Sequence, residues 1–194
     1  MNKKKFIFGT KSENLFRLNK RLKNSIIPSL IYFNINQWKI SKKSILLEIN
    51  NAFENNKIVV RSSGLNEDGH KSSLAGKFLS LLNVKNNNKN IVAAVNKVIR
   101  SYGSCNGNNQ VIVQKQVEHV KISGVIFTRD INDGSEYYTI TYDDYSGLTN
   151  TVTSGLKAKS IVVYERSYKK LKSNRFRKLI RSVKEIEKKT NSKF

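Results

Sequence analysis

The chain has 194 residues, of which 38% are hydrophobic and 9% aromatic, and its formal net charge is +22. This length and apolar content predict a folded globular protein and argue against an extended disordered chain. Because Cys105 is the single cysteine, an intramolecular disulfide is excluded. No stretch approaches the roughly 18 continuous apolar residues of a transmembrane helix, and the first ten residues are too polar for a signal peptide, so we expect a cytoplasmic protein.

The excess of basic residues allows two interpretations. With 36 Lys and Arg against 14 Asp and Glu, the surface attracts polyanions at low salt, as a nucleic-acid-binding module does. Alternatively, most lysines are scattered singly among asparagines, so that the charge serves solubility and nucleic acid is bound only non-specifically. Short basic runs occur at Lys3–Lys5 and across Tyr168–Lys189.

The first half of the chain alternates between predicted strands and helices. The predicted strands are Phe6–Thr10, which ends in a turn, Ile26–Ile35, Lys57–Arg61 and the apolar end of Ser73–Val84. The predicted helices are Lys11–Leu22, Lys42 to about Asn55 with Ser41 as its cap, and about Lys89–Tyr102. Together these elements predict a first lobe of α+β type, which we place at residues 1–105.

The stretch Gly103–Asn109 is rich in Gly and Asn and predicts a boundary between two lobes. The strands predicted beyond it are Gln110–Val117, Ser123–Phe127, Glu136–Tyr142 and Ser160–Tyr164, joined as an antiparallel meander. Apolar residues at helical spacing predict a final helix over Asn174–Lys189. The second lobe, residues 106–194, is therefore predicted to be mostly antiparallel β with a C-terminal helix.

The first segment with chemical content is Val59–Asp68, in which a strand ends in Arg61, Ser62 and Ser63 and then enters an acidic loop. A planar, permanently charged guanidinium suits phosphate oxygens, and neighbouring hydroxyls add uncharged donors. The alternative is that Arg61 pairs with Glu67 or Asp68 in a structural salt bridge.

The second segment is Ser72–Val84, where small residues surround Gly76 before a regular strand. Small side chains let backbone amides approach a phosphate group. The segment lacks the Gly, Lys and Thr spacing of a Walker loop, so a plain turn is the alternative.

The third segment consists of Val111–Glu118 followed by Ser123–Asp130, two strands before a turn. Taken in order with the first two segments, it resembles the nucleotide-binding domain of phosphoenolpyruvate synthases, pyruvate phosphate dikinases and rifampin phosphotransferases. The patterns of that family run VRSSAxxED, SFAGxxxTxLNV, VxVQxMV and SGVxFTxDPxTG. Phe8–Leu15 also looks like the family's opening GGKGxNL, so the resemblance covers nearly the whole chain.

Within this family, the stretch Thr141–Gly155 departs from the usual GLGExVVSG. Its wording resembles the subgroup that includes the glutamine kinase of capsular phosphoramidate synthesis. In that subgroup the phosphoryl acceptor is the side-chain amide of glutamine.

The resemblance implies an ATP-grasp fold, in which two lobes close over ATP and the β-phosphoryl group passes to a His on a separate domain. By this resemblance, Lys11 and Arg61 would bind phosphate oxygens and spread the charge that develops during transfer. Gly76 and Ser80 would line the phosphate-side loop. Gln114 would lie beside the adenine at the hinge between the lobes.

Departures from the family pattern lower the expected activity. Thr10 stands where the family usually has Gly, and Asn150 takes the place of the Glu in GLGE. The acidic magnesium ligands of the family lie in a DIEFA-like strand, which is expected beyond Phe194. His70 and His119 are predicted to be surface residues, because neither has the sequence setting of the family's phosphorylated His.

The sequence therefore predicts the ATP-binding part of a dikinase-type phosphotransferase, incomplete at its C-terminus and inactive alone. A separate C-terminal chain would complete it, and magnesium would act in the complete enzyme. The alternatives are a basic nucleic-acid-binding module and a degenerate remnant without activity.

Overall fold

A computed structural model describes residues 6–65, 79–103, 106–152, 155 and 158–193. Contacts between Cα atoms divide the chain into two compact units. The first unit comprises Phe8–Asn19 and Ile27–Val117, and the second comprises Met1–Ile7, Lys20–Ile26 and Glu118–Phe194. No helix in the described ranges is long and apolar enough to cross a membrane.

Within the described residues, the first unit contains a four-stranded antiparallel sheet and three helices. Its elements in chain order are α1 (Lys11–Asn19), β1 (Leu30–Asn34), α2 (Ile35–Ala52), β2 (Lys57–Ser63), β3 (Ser80–Lys85), α3 (Asn88–Ser101) and β4 (Gln110–Lys115). The strand order is β1-β4-β2-β3, so the last strand in sequence lies between the first two. This mixture of helix and sheet agrees with the predicted α+β class.

The two faces of this sheet differ in polarity because side chains alternate along each strand. One face packs against α2 and α3 through buried apolar residues, among them Ile58, Val60, Val111, Val113, Ile49 and Val95. Full burial of each such side chain contributes roughly 1.5–3 kcal/mol. In the strand register Arg61 lies opposite Ser80 and Ile112, and Val59 lies opposite Gln114. Arg61, Ser80 and Gln114 therefore share the other face.

Helix α2 begins seven residues earlier than the sequence analysis predicted, so the assignment of Ser41 as its cap is wrong. Asn34 caps the helix instead, because its side chain accepts a hydrogen bond from the Gln37 amide while the Gln37 side chain accepts one from the Asn34 amide. Ser41 lies inside the helix at a kink, with φ −117° and ψ 28°. The start was missed because the capping box comes directly from strand β1, with no polar loop between the two elements.

Other predictions for the first 117 residues also need correction. Residues 6–10 form no strand, and α1 ends at Asn19 rather than Leu22. Strand β4, which we predicted to open the second lobe, pairs with β1 and β2 in the first sheet. The units accordingly change after Val117, not at the predicted boundary after residue 105, because Val111, Ile112 and Val113 are fully buried within the first unit.

The second unit is a three-stranded antiparallel sheet covered by a helix. Its elements are β5 (Ser123–Phe127), β6 (Tyr137–Asp143), β7 (Lys159–Tyr164), a 3-10 helix (Glu165–Lys170) and α4 (Asn174–Thr190), with the strands in sequence order. Its core contains Tyr138 and Ile140 of β6 with Phe176, Ile180 and Val183 of α4. The predicted meander is confirmed for these three strands, and so is the C-terminal helix.

A cluster of ion pairs joins the 3-10 helix to α4. Glu165 accepts hydrogen bonds from Lys184 at 2.8 Å and Lys193 at 2.9 Å. Burial alone would raise the pKa of Glu165, but these two hydrogen bonds and the two positive charges outweigh it and lower the pKa to about 2. The charged carboxylate therefore contributes to the stability of the second unit.

We expect Asn34→Ala to lower the free energy of unfolding by about 1 kcal/mol, since it removes the N-cap acceptor of α2. Ser41→Ala is the matched control, because Ser41 lies within the helix and its loss leaves the N-terminus capped. Urea unfolding of both variants tests the prediction. A larger loss of unfolding free energy in Ser41→Ala than in Asn34→Ala would contradict the cap at Asn34 and favour the cap at Ser41 that the sequence analysis predicted.

We expect Glu165→Gln to destabilise the protein at pH 6 and to lose that effect as the pH falls from about 4.5 to about 2. The pKa of Glu165 is lower in the folded protein than in the unfolded chain, so its contribution is full above the unfolded value and disappears as the folded carboxylate is protonated. Unfolding at several pH values measures this difference. Glu118→Gln, at an exposed position of the same unit, removes the same charge and is the matched control; an equal effect of the two substitutions at pH 6 would contradict the role of Glu165.

Candidate functional site

The candidate site begins at the turn that leads into α1. Thr10 and Glu13 form a capping box, in which the Thr10 amide donates to Glu13 Oε2 at 3.3 Å and the Glu13 amide donates to Thr10 Oγ1 at 3.4 Å. Asn14 also bonds the backbone of Gly9 through both atoms of its amide group. The backbone on either side of Lys11 is therefore held in place by side chains of its own helix.

A buried serine pair connects the start of α1 to the end of β2. The Ser12 amide donates to Ser63 Oγ at 2.9 Å, and the Ser63 hydroxyl donates to Ser12 Oγ at 3.1 Å. Both serines are fully buried. Because the first amides of a helix have no partner within it, Ser63 satisfies a donor that burial would otherwise leave unpaired.

Gln110, the first residue of β4, completes this connection. Its side-chain oxygen accepts hydrogen bonds from Thr10 Oγ1 at 2.6 Å and from the Ser12 hydroxyl, and its Nε2 donates to Glu13 Oε1 at 3.0 Å. Tyr102 lies at the same strand ends.

The Tyr102 hydroxyl accepts from the Ser63 amide at 2.8 Å and donates to the Gln110 carbonyl. We call Thr10, Ser12, Ser63, Tyr102 and Gln110 the hydroxyl–amide network. It ties together α1, β2, β4 and the C-terminal end of α3.

The hydroxyl–amide network fixes the positions of two predicted phosphate ligands. Lys11 lies between Thr10 and Ser12, which are both members of the network. Arg61 lies two residues before Ser63 on the same strand and the same face. Lys11 and Arg61, fifty positions apart in sequence, thus both lie next to members of the same hydrogen-bond network in the first unit.

Arg61 is half-buried and its Nε donates to Ser80 Oγ at 3.3 Å across the β2–β3 ladder. Among the residues that the structure describes, Arg61 takes part in no ion pair; Glu67 and Asp68, the alternative structural partners, lie outside them. This single bond occupies one of the five guanidinium donors.

Gln114 lies on the same face of the sheet but is tied to the backbone. It is buried, and its Nε2 donates to the Pro28 carbonyl at 3.1 Å. Gly76, the remaining predicted site residue, lies outside the described residues. The structure therefore brings Arg61, Ser80 and Gln114 to one sheet face and places Lys11 at the adjoining helix start.

The second unit contains an ordered acidic loop that the sequence analysis did not identify. Asp143, at the end of β6, accepts hydrogen bonds from the Ser146 and Thr151 hydroxyls and from the amides of Tyr145 and Ser146. These hydrogen bonds hold the pKa of Asp143 well below its usual range, and the bond from the Ser146 hydroxyl contributes most. The Asp-x-x-Ser spacing is typical of such a side-chain-capped turn and would have indicated it.

Next to this loop lies a cleft of about 420 Å³. Its lining residues are Tyr142, Asp143, Asp144, Tyr145, Ser146, Thr151, Ala158 and Lys159. Lys159 bonds Asp144 at 2.7 Å and Arg175 bonds it at 3.2 Å. The hydrogen bond from Lys159 is the main cause that lowers the pKa of Asp144.

Asn150, which takes the place of the Glu in the GLGE pattern of the sequence analysis, is exposed in the same loop.

The described residues include no group of three or more His, Cys, Asp or Glu side chains that could hold a metal ion. His119 is exposed, as predicted, whereas His70 and Cys105 lie outside the described ranges.

The first unit thus presents, on one face of its sheet and beside a helix start, a half-buried guanidinium bonded to a hydroxyl group. Comparison with known families identifies the class of domain. Residues 11–107, half of the chain, match the family described as pyruvate phosphate dikinase, AMP/ATP-binding domain. The chain belongs to this family, and the matched stretch contains the first two motif segments, Val59–Asp68 and Ser72–Val84. No curated protein sequence matches the chain.

We expect Tyr102→Phe to lower the free energy of unfolding by about 1–3 kcal/mol, because it leaves the Ser63 amide without the acceptor that it bonds at 2.8 Å. Tyr145→Phe is the matched control, since that side chain is 97% exposed. Thermal or urea unfolding checks both. Equal stability of the two variants would contradict a structural role for the Tyr102 hydroxyl.

Proposed function

We propose that the first unit binds the phosphates of ATP through Arg61 and Lys11, and that it does so as the ATP-binding part of a dikinase-type phosphotransferase. The family match to an AMP/ATP-binding domain supports the nucleotide. The observation that carries the assignment to a site is Arg61, held half-buried at the end of β2 with only Ser80 as a described side-chain partner.

Preorganisation is what the hydroxyl–amide network contributes in this proposal. A guanidinium and an ammonium stabilise the charge on a transferred phosphoryl group best when they are already in place, since no reorganisation is then needed during transfer. The bonds of Ser12 to Ser63 and of Thr10 to Gln110 fix the backbone beside Lys11 and Arg61. The backbone from which both cationic side chains extend is therefore already ordered.

Three further residues have supporting roles in the proposal. Gly76 and Ser80 line the loop on the phosphate side, where the Ser80 hydroxyl already orients Arg61. Gln114 lies beside the adenine, and its bond to the Pro28 carbonyl fixes the strand rather than the base. In this arrangement, backbone groups near Gln114 would read the edge of the base.

The finer part of the proposal concerns the rest of the reaction. In an ATP-grasp arrangement the two lobes close over ATP, and the β-phosphoryl group passes to a His on a separate domain before it reaches the acceptor. We propose glutamine as that acceptor. Its support is the wording of Thr141–Gly155, and in the structure Asp143 organises that stretch into a bonded turn.

Magnesium, when bound in the complete enzyme, would neutralise negative charge on the phosphates of ATP. The described residues contain no group of three or more His, Cys, Asp or Glu side chains that could hold a metal ion, so no residue is assigned to it. The proposed roles of Lys11 and Arg61 accordingly rest on direct contact with phosphate oxygens.

We expect ATP to raise the melting temperature of the chain in a saturable manner, because a ligand that binds only the folded state stabilises it. Arg61→Ala should weaken the apparent affinity at least about tenfold, the effect of losing one charge-assisted contact of 1.5–3 kcal/mol. Arg100→Ala, at an exposed position on α3, is the matched control and should leave the affinity unchanged.

A thermal-shift titration with ATP, with and without magnesium, measures these effects. No shift with ATP in the wild-type protein, or equal losses in the Arg61 and Arg100 variants, would contradict the proposed site.

A further inference from the structure

A charged surface lies in the second unit, whereas the residues assigned to ATP belong to the first. Between Arg166 and Lys189 the sequence contains many Lys and Arg, and its only acidic residues are Glu185 and Glu187. Glu187 is buried, where it bonds the Tyr138 hydroxyl at 3.2 Å. The exposed part of this segment is therefore basic.

Helix α4 carries its buried apolar residues and its exposed basic residues on different sides. Phe176, Ile180 and Val183 are buried against the sheet of the second unit. The exposed side carries Lys178, Arg181, Lys188 and Lys189. From Lys178 to Lys189, eleven residue steps, the helix rises about 16 Å.

A segment distant in sequence adds more positive charge to this side of α4. The amides of Lys23 and Asn24 donate to the two carboxylate oxygens of Glu185 at 2.9 and 2.8 Å, and the Asn24 side chain donates to the same carboxylate at 2.9 Å. The Ser182 hydroxyl donates to the Asn24 carbonyl at 2.7 Å. These bonds place Lys20–Lys23 against α4.

We call the resulting surface the basic face; its members are Lys20, Arg21, Lys23, Lys178, Arg181, Lys188 and Lys189, all exposed. Within the described part of the chain, none of them takes part in an ion pair. Described ion pairs of the second unit engage other basic residues, namely Arg129, Lys159, Arg166, Arg175, Lys184 and Lys193.

Glu185, the acidic residue on this side of α4, has a structural role. Hydrogen bonds from the Asn24 and Lys23 amides lower its pKa although burial opposes them. Its carboxylate therefore serves to hold Lys20–Lys23 in place. Arg181, Lys188 and Lys189 lie three or four residues from Glu185, so they belong to the same side of the helix.

We propose that the basic face binds the phosphate backbone of a nucleic-acid duplex without reading its sequence. A duplex carries one negative charge per about 1.7 Å of its axis, so the 16 Å row faces several phosphates at once. The outer side of α4 offers point charges and no aromatic ring, whereas binding of single strands relies on base stacking. A membrane-surface helix would instead expose its apolar side, which in α4 is buried.

Fluorescence anisotropy with a labelled 20-base-pair DNA duplex, titrated with the full chain at several salt concentrations, tests the proposal. The triple variant Arg181→Gln, Lys188→Gln, Lys189→Gln should bind about tenfold more weakly or worse at low salt. Its slope of log K against log salt should fall by about two to three, since each lost phosphate contact reduces the slope by about one.

The matched control is the triple variant Lys39→Gln, Lys43→Gln, Lys89→Gln, which removes the same charge from exposed positions of the first unit. It should retain wild-type affinity and salt slope. Equal losses in both triple variants would show that only net charge matters and would overturn the proposal. Tighter binding to anionic phosphatidylserine vesicles than to the duplex would also overturn it, and so would a loss that appears only with single-stranded probes.

Discussion

The side chain of Gln110 provides the interaction on which the candidate site depends. One amide group accepts from Thr10 and Ser12 and donates to Glu13, so a single residue of β4 holds the whole first turn of α1. A buried polar group stabilises a fold only when its partners are all present, and it then specifies one arrangement. Here that arrangement sets Lys11 beside the strand that carries Arg61. The residues that stabilise the first unit thus also order the backbone beside the proposed phosphate ligands.

Local patterns in the sequence predicted the elements whose stability is local. Strand β5 has the predicted bounds, and α4 differs by one residue, because its apolar positions recur at helical spacing along its full length. The family could also be recognised from the motifs, and the match over residues 11–107 confirms it for the part of the chain that contains Val59–Asp68 and Ser72–Val84. Arg61 is placed at the end of a strand, as its position after Val59 and Val60 predicted.

Long-range pairing is what the sequence could not reveal. The apolar run Val111–Val113 is equally compatible with either sheet, and only the register with β1 and β2 assigns it to the first. The hydroxyl–amide network was invisible for the same reason, since Ser12, Ser63 and Gln110 are ordinary polar residues until folding brings them together. The basic face likewise depends on the hydrogen bonds from the Lys23 and Asn24 amides to Glu185, which is far from them in sequence. Charge composition indicated the amount of positive charge but not its location.

Hydrogen–deuterium exchange with and without ATP tests the central claim most directly, because it reports where the nucleotide contacts the chain without any substitution. The account predicts slower exchange in peptides covering the start of α1, the end of β2 and the start of β3, the elements that carry Lys11, Arg61 and Ser80. Unchanged exchange in those peptides, with protection confined to the second unit, would contradict it.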